Sequence, residues 1–352
     1  MASRPRRSGA PPPDHRAGAR RGAPVILAGD VGGTKTYVAQ FELRNGGLGP
    51  PLAVEHIRND GYPSLEALLE DYGSRHPGHA AAACFGVAGP VVKNRARVTH
   101  LGWTIEAAHL ARKLKLKRVH LINDLVANGY GLAALEPNEL ETIQPGQRDD
   151  ESNSALVAAG TGLGESILVR VRGDLVPVPS EAGHADFAPR TDDELRVFRA
   201  FRARYGRVSY ERILSGPGLA AVAELFHEER GESAVWARHV AEGGEDGPAG
   251  HVSRLGMERA CRACEDALRL FVGVYGAEAG NLALRALAWA GIYLGGGIAP
   301  KILPALHWDI FLEAFRDKDH LRPLLASIPV WVIRNERTAL LGAARYAAIA
   351  EA

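Results

Sequence analysis

The sequence predicts an α/β fold built as two similar layered units with a nucleotide held between them. Apolar runs that read as buried strands end in glycine turns at three places, 29–33, 160–164 and 295–297. Strands alternate with amphipathic helices along the chain, the pattern of sheets covered by helices. The second half repeats the plan of the first, although no repeat is visible in the residues themselves. At 352 residues the chain has room for about two domains with ample core.

The opening unit starts with the apolar run from Val25, a buried strand that stops at Gly29-Asp30 and leads into the turn Gly32-Gly33. Tyr37, Ala39 and Phe41 then alternate with polar partners as a second strand, and Leu52–Arg58 supplies a third. Ser64 caps a helix with Leu65, Leu68, Leu69 and Tyr72 on one face. Ala80–Val87 is another buried strand, followed by a helix over Ile105–Leu116 and the strand Val119–Ile122, ending at Asn123-Asp124. In the second half, Ala155–Ala159 ends in Gly160-Thr-Gly-Leu-Gly164, and Ile167, Val169 and Val171 alternate in the next strand. Thr191 with Glu194 makes a capping box for a helix carrying Leu195, Phe198 and Tyr205. A long helix over Met257–Tyr275, strands at Ala290–Leu294 and Val330–Ile333, and a helix near 338–351 complete the pattern. Trp289 and Trp331, beside apolar runs, are expected in the core.

Bulk properties exclude several classes. A net charge of +1 gives no global basic field for nucleic acid or an anionic membrane. No apolar run approaches the roughly 18 residues that would span a bilayer. Three cysteines argue against a disulfide framework and fit a reducing cytoplasm. Residues 1–24, with Arg4, Arg6, Arg7, Arg16, Arg20 and Arg21 among Pro, Gly and Ala, are expected to be a disordered tail. They lack the apolar core of a secretory signal; an organelle-targeting or nucleic-acid-binding arm is the functional alternative.

The turns carry the candidate chemistry. Gly32 and Gly33 allow a tight turn whose N–H groups meet an anion, with Thr34 and Lys35 adding a hydroxyl and a cation. Asp30 suits a hydrated divalent metal. This is not a Walker A loop, because Thr34 stands between the glycine and Lys35 and no helix pattern opens there. Nor does Gly160–Gly164 fit a dinucleotide-binding turn, since a strand follows where a helix is needed. Asp124 reads either as a carboxylate that accepts a proton from a substrate hydroxyl or as a helix cap. Glu181-Ala-Gly-His184 and Glu211 read either as hydroxyl-recognising groups or as surface charges and a core histidine. Cys261-Arg-Ala-Cys264 shares a helical stripe with Leu268, Phe271 and Tyr275, and no second Cys pair exists, so packing is the expected role.

Taken together, Gly29-Asp30-Val-Gly-Gly-Thr34, Leu121-Ile-Asn-Asp124, Gly160–Gly164, Glu181–Pro189, Ser209–Gly218 and Gly295–Pro300 resemble, in order, the motifs of bacterial glucokinases. The resemblance covers about 25–350 and implies the two-domain actin-like ATPase (ribonuclease H-like) fold, with duplicated mixed sheets, helices and a cleft between the domains. The implied division is 25–134 plus 335–352 as the small domain and 135–334 as the large one. It implies transfer of a phosphoryl group from ATP to the 6-hydroxyl of glucose in a cytoplasmic homodimer. Asp124 would be the general base, and Asn123, Asp124, Glu181, His184 and Glu211 would bind the sugar. Gly29, Asp30, Gly32, Gly33, Thr34, Lys35, Gly160, Thr161, Gly162, Gly296 and Gly297 would hold the nucleotide, with Mg²⁺ near Asp30 through water. Two positions depart from the family pattern, His100 where Asn is usual and Ala182 where Gly is usual. The Cys-rich zinc motif of the related repressor–open-reading-frame–kinase family is absent. Alternatives are a kinase for another hexose, a sugar-sensing regulator and an actin-like filament protein. The regulator would need a DNA-binding helix-turn-helix, for which the tail shows no periodicity, and the filament protein would keep the turns without Glu181, His184 and Glu211.

Overall fold

The computed structural model describes residues 24–351 apart from 45–46, 99–100, 243 and 245–246. The expected tail and the His100 departure therefore lie outside the described residues, save Pro24. Strands β1 (Val25–Val31), β2 (Lys35–Arg44) and β3 (Gly47–Arg58) form an antiparallel meander, and β4 (Ala80–Val87) lies parallel beside β1. A small antiparallel sheet of β5 (Val91–Val92), β6 (Arg95–Val98) and β7 (Trp103–Glu106) precedes β8 (Arg118–Asn123), which pairs in parallel with β4. The first sheet thus has the order β3-β2-β1-β4-β8.

The second sheet contains β9 (Leu140–Gln144), β10 (Ser154–Ala159), β11 (Leu163–Val171), β12 (Asp174–Val178), β13 (Gly291–Gly295) and β14 (Val330–Ile333), in the order β12-β11-β10-β13-β14-β9. Apart from the extra edge strand β9, this is the order of the first sheet again. In each, an antiparallel hairpin leads and two parallel strands follow. The duplication is visible in the hydrogen-bond ladders though not in the residues.

Helices α1 (Leu65–Arg75) and α2 (Ala107–Lys113) cover one face of the first sheet, around Leu68, Tyr72, Phe85 and Leu110. As expected, the Ser64 hydroxyl caps α1, accepting the Ala67 N–H at 3.3 Å. The other face is covered by α3 (Asp124–Gly131) and by the last helix of the chain. On the second sheet lie α4 (Asp192–Tyr205), α5 (Gly216–Glu229), α6 (Ser233–Glu242), α7 (Gly247–Met257) and the buried α8 (Arg262–Ala286). The short α9 (Leu303–Leu306), α10 (Asp309–Arg316) and α11 (Arg322–Ser327) follow, and α12 (Thr338–Glu351) returns to the first sheet. There α3 and α12 cross with no side chain between them. A Cβ on Gly342 would lie 1.7 Å from the Ala127 carbonyl oxygen, and one on Gly131 2.1 Å from that of Thr338.

Four expectations need correction. Ile105 belongs to β7, paired with Ala96, so the helix expected from that residue starts only at Ala107. The inward side of α4 is Glu194, Val197 and Phe201, while Tyr205 is exposed. The reason is that Glu194 is buried to accept the Arg190 N–H at 2.6 Å and its guanidinium at 2.8 Å, which turns the helix. The long helix expected from Met257 is interrupted. Arg259 adopts a left-handed φ of 54°, and Cys261 caps a new helix. Trp289 is exposed, sitting in the turn before β13. Among the described residues no helix is long and apolar enough to cross a membrane.

Candidate active site

The carboxyl ends of β1, β4 and β8 from one sheet and of β10 and β13 from the other open onto a single cleft of about 810 Å³. Parallel strands leave their turns and following helices at that end, which is why ligands bind there in α/β sheets. Gly32, Gly33, Thr34, Asn123, Asp124, Gly160, Thr161, Gly162, Glu181, His184, Glu211 and Gly296 all line it. Residues as far apart in sequence as Gly32 and Gly296 are thus brought to one space. Gly297 lines an adjoining pocket of about 730 Å³ that shares Gly160 and Thr161 with the cleft and is walled by Gly216, Pro217, Pro248, Ser253 and Ile298.

Not every expected residue reaches the cleft. Gly29 is buried within β1, where a Cβ would strike the Phe85 ring at 2.6 Å, so its size serves packing. Lys35 is exposed and stands outside the cleft lining. Asp30 sits at the end of β1, half-buried behind the turn.

Asn123 takes the capping task that the sequence had offered to Asp124. Asn123 is the N-cap of α3: its Oδ1 accepts the Leu125 N–H at 2.9 Å, and its amide donates to the Gly89 carbonyl at 3.1 Å. Asp124 is thereby released from sole duty as a cap, although its Oδ1 also accepts the Leu125 N–H at 3.0 Å. Burial pushes the Asp124 carboxyl up to about 6, with the Leu125 N–H pulling it down and Glu181 adding to the rise. Burial, together with the charge of Asp124, pushes Asp30 up to about 7. Two carboxylates are held in one desolvated region with no basic side chain among the causes of either shift. Such a pair suits a cation, and Asp30 has the donor chemistry for hydrated Mg²⁺.

On the opposite wall, Glu211 Oε2 accepts the Leu163 N–H at 3.0 Å and Oε1 lies 3.7 Å from His184 Nδ1. A Cβ on Gly162 would sit 2.5 Å from that same Oε2, so any larger residue there would push the Glu211 carboxylate aside. His184 is exposed to the cleft and not a core histidine. Ala182 begins the short turn that carries it, its N–H donating to the Ser180 hydroxyl at 2.9 Å. Gly296 has φ of 79°, and a Cβ there would meet the Ala159 carbonyl at 2.3 Å, so β13 can turn beside β10 only with glycine.

The sequence reading missed the residue that shapes the first turn. Asn59 is buried; its amide donates to the Gly32 carbonyl at 2.9 Å, its Oδ1 accepts from the Thr36 hydroxyl at 2.7 Å, and its N–H donates to the Thr34 carbonyl at 2.9 Å. It lies 27 residues from Gly32, with no local signature to find it. Ser180 and Asn128, which also line the cleft, were missed for the same reason.

Fold and site together define a sugar kinase of the actin-like ATPase fold. The glucokinase family model matches residues 27–350. A glucokinase of Nostoc sp. is 38% identical over 338 residues, spanning 92% of this chain and 99% of that one. The crystal structure of a glucokinase from an Antarctic psychrotroph superposes with a TM-score of 0.79 at 27% identity, over 92% of this chain and 98% of the other. A ROK-family glucokinase from Streptomyces griseus, solved with glucose and AMPPNP, shares the fold at a TM-score of 0.61 and 20% identity, over 92% and 99% of the two chains. The chain belongs to the glucokinase family.

Proposed function

We propose that the protein transfers the γ-phosphoryl group of ATP to the 6-hydroxyl of glucose, with Asp124 as general base. The observation that carries this is the single cleft in which a raised carboxyl at the head of α3 faces three glycine turns and the Glu181, His184 and Glu211 wall. Asp124 takes the proton of the 6-hydroxyl as that oxygen attacks the phosphorus in line, and the leaving oxygen departs with the diphosphate. Asn123, Glu181, His184 and Glu211 hold the other hydroxyls, so the reacting oxygen is the one presented to Asp124. The Gly32 and Gly160 N–H groups close their own turns onto the Lys35 and Gly162 carbonyls at 3.0 and 2.8 Å, so the phosphates meet the N–H groups of Gly33, Thr34, Thr161 and Gly162, which stabilise charge spreading over the phosphoryl oxygens. Asp30 would hold Mg²⁺, which would supply positive charge beside the phosphates.

The pocket beyond Gly297 takes the adenosine, and Gly296 lies beside it. The reading places the lobes at 25–134 with 335–352 and at 135–334. This is supported by the confinement of the first sheet to 25–123, the second to 140–333, and by α12 returning to the first. By resemblance the enzyme is a cytoplasmic homodimer feeding glycolysis.

The test is a coupled assay of kcat/KM across hexoses with ATP and Mg²⁺. Glucose is expected to be preferred by about tenfold or more, the discrimination available to a site built to hydrogen-bond each hydroxyl. Preference for mannose or fructose would move the substrate assignment. No turnover on any hexose would overturn it in favour of a sensor.

A further inference from the structure

Away from the cleft, four side chains from three helices converge in a way that packing alone does not explain. His227 lies near the end of α5, His239 on α6, Cys261 at the N-cap of α8 and Cys264 in its first turn. One ligand atom from each of the four lies within 4.8 Å of all the others. We propose that these residues form a structural zinc site, Cys₂His₂ in composition.

The chemistry of the set favours it over coincidence. His227 is fully buried, and its Nδ1 makes a 2.7 Å hydrogen bond to the Ala223 carbonyl, which fixes the proton there and leaves Nε2 with a lone pair. That Nε2 stands 3.4 Å from the Cys261 sulfur. Ligands at zinc distances on a tetrahedron lie about 3.5 Å apart, so this pair is already spaced for a shared ion. The His239 Nδ1 is 3.1 Å from His251 Nε2, while its own Nε2 is buried with no hydrogen-bond partner. Each imidazole is thus held at Nδ1 by an outer group, the arrangement that orients ligating histidines. The Cys264 N–H meets the Cys261 sulfur at 3.3 Å, a donor placed to stabilise a thiolate. Two thiolates and two neutral imidazoles balance a dipositive ion, and this soft donor set with tetrahedral spacing selects zinc over magnesium or calcium.

The site also gives α6 an anchor that its residues lack. None of its residues is buried, and Trp236 is only half-buried against the core. A metal bound by His239 would fasten α6 to α5 and α8, and with it the chain that leads into α7. The reading of Cys261 and Cys264 as a packing stripe holds for Cys264, but Cys261 precedes the helix and faces histidine. The missing second Cys pair is replaced by two histidines remote in sequence.

Metal analysis of the full-length protein after dialysis against chelator-free buffer tests this. The expected result is about one zinc per chain, falling below about a tenth of that in the Cys261→Ser/Cys264→Ser double variant. As a check independent of variant folding, Co²⁺ added to metal-stripped wild type should give the d–d bands of a tetrahedral site with a thiolate charge-transfer band, and Zn²⁺ should bleach both. Zinc addition should also raise the thermal midpoint of the stripped protein. A wild type without zinc that gives no tetrahedral cobalt spectrum overturns the proposal. So does a Cys261–Cys264 disulfide found in freshly purified protein kept under reducing conditions, or zinc retained at full stoichiometry in the double variant.

Discussion

Replacing Asp124 with Asn separates chemistry from architecture in one residue. An asparagine keeps an Oδ1 to accept the Leu125 N–H, and Asn123 continues to cap α3, so the local backbone has no reason to move. What disappears is the proton acceptor, and kcat is expected to fall by roughly 10²–10⁴, the worth of a positioned base. Stability should move the other way. The Asp124 carboxyl rises from 3.8 to about 6 on folding. A raised carboxyl contributes stability that is present below its unfolded value and lost as pH climbs through the folded value. At neutral pH and above, the wild type therefore carries an ionised group that costs the fold on the order of 2–3 kcal/mol, a cost the neutral amide does not bear. Steady-state assays of glucose phosphorylation and thermal melts near pH 8 measure both quantities. The expected pattern is a large loss of kcat with a midpoint equal to or a few degrees above wild type. Retention of kcat within about threefold would refute the base assignment, which requires a much larger loss. A loss of activity that tracks a loss of stability would show that Asp124 holds the fold together.

Two further perturbations test other parts of the structure. Glu165 is buried in β11 beside Glu278, with Arg285 Nη1 at 3.9 Å, and burial raises its carboxyl from 4.5 to about 8. Wild-type stability relative to Glu165→Gln should therefore decline between those two values and level off above the upper one, read as the difference between paired melts across that range; a constant difference would contradict it. Asn59→Ala strands the Thr36 hydroxyl and the Gly32 carbonyl, which should cost about 1–3 kcal/mol in urea unfolding. With the Gly32 turn loosened, KM for the nucleotide should rise by about tenfold or more while KM for the sugar holds, if that turn meets the phosphates as proposed; equal shifts in both would mean a global effect.

What the residues announced in advance were strands and the turns that end them. Apolar runs closed by glycine place Gly32, Gly160 and Gly296 at strand ends whatever the rest of the chain does, because the local geometry demands it. Asp124 was legible as one of two things, and the hydrogen bonds of Asn123 add that α3 has a cap of its own without it. Asn59, Ser180 and Asn128 act through contacts set by sheet register, so nothing beside them in sequence reveals their part. The α4 stripe was misread because a buried Glu194 paired with Arg190 outweighs the apolar pattern. The Cys261–His227 contact stayed hidden because it joins the ends of two helices 34 residues apart.

The return of α12 to the first sheet sets the order in which the enzyme can come into being. Ile26, Ala28, Phe41 and Ala82 are covered by Ala339, Leu340, Ala343 and Ala347, which follow the whole second sheet in the chain. Until α12 docks, that sheet face has only α3 for cover, and α3, the helix bearing Asp124, lacks one of the surfaces it packs on. The first sheet, and the cleft it walls, is therefore complete only once α12 is in place. A chain cut before Thr338 would keep every proposed site residue and leave its first half unfinished.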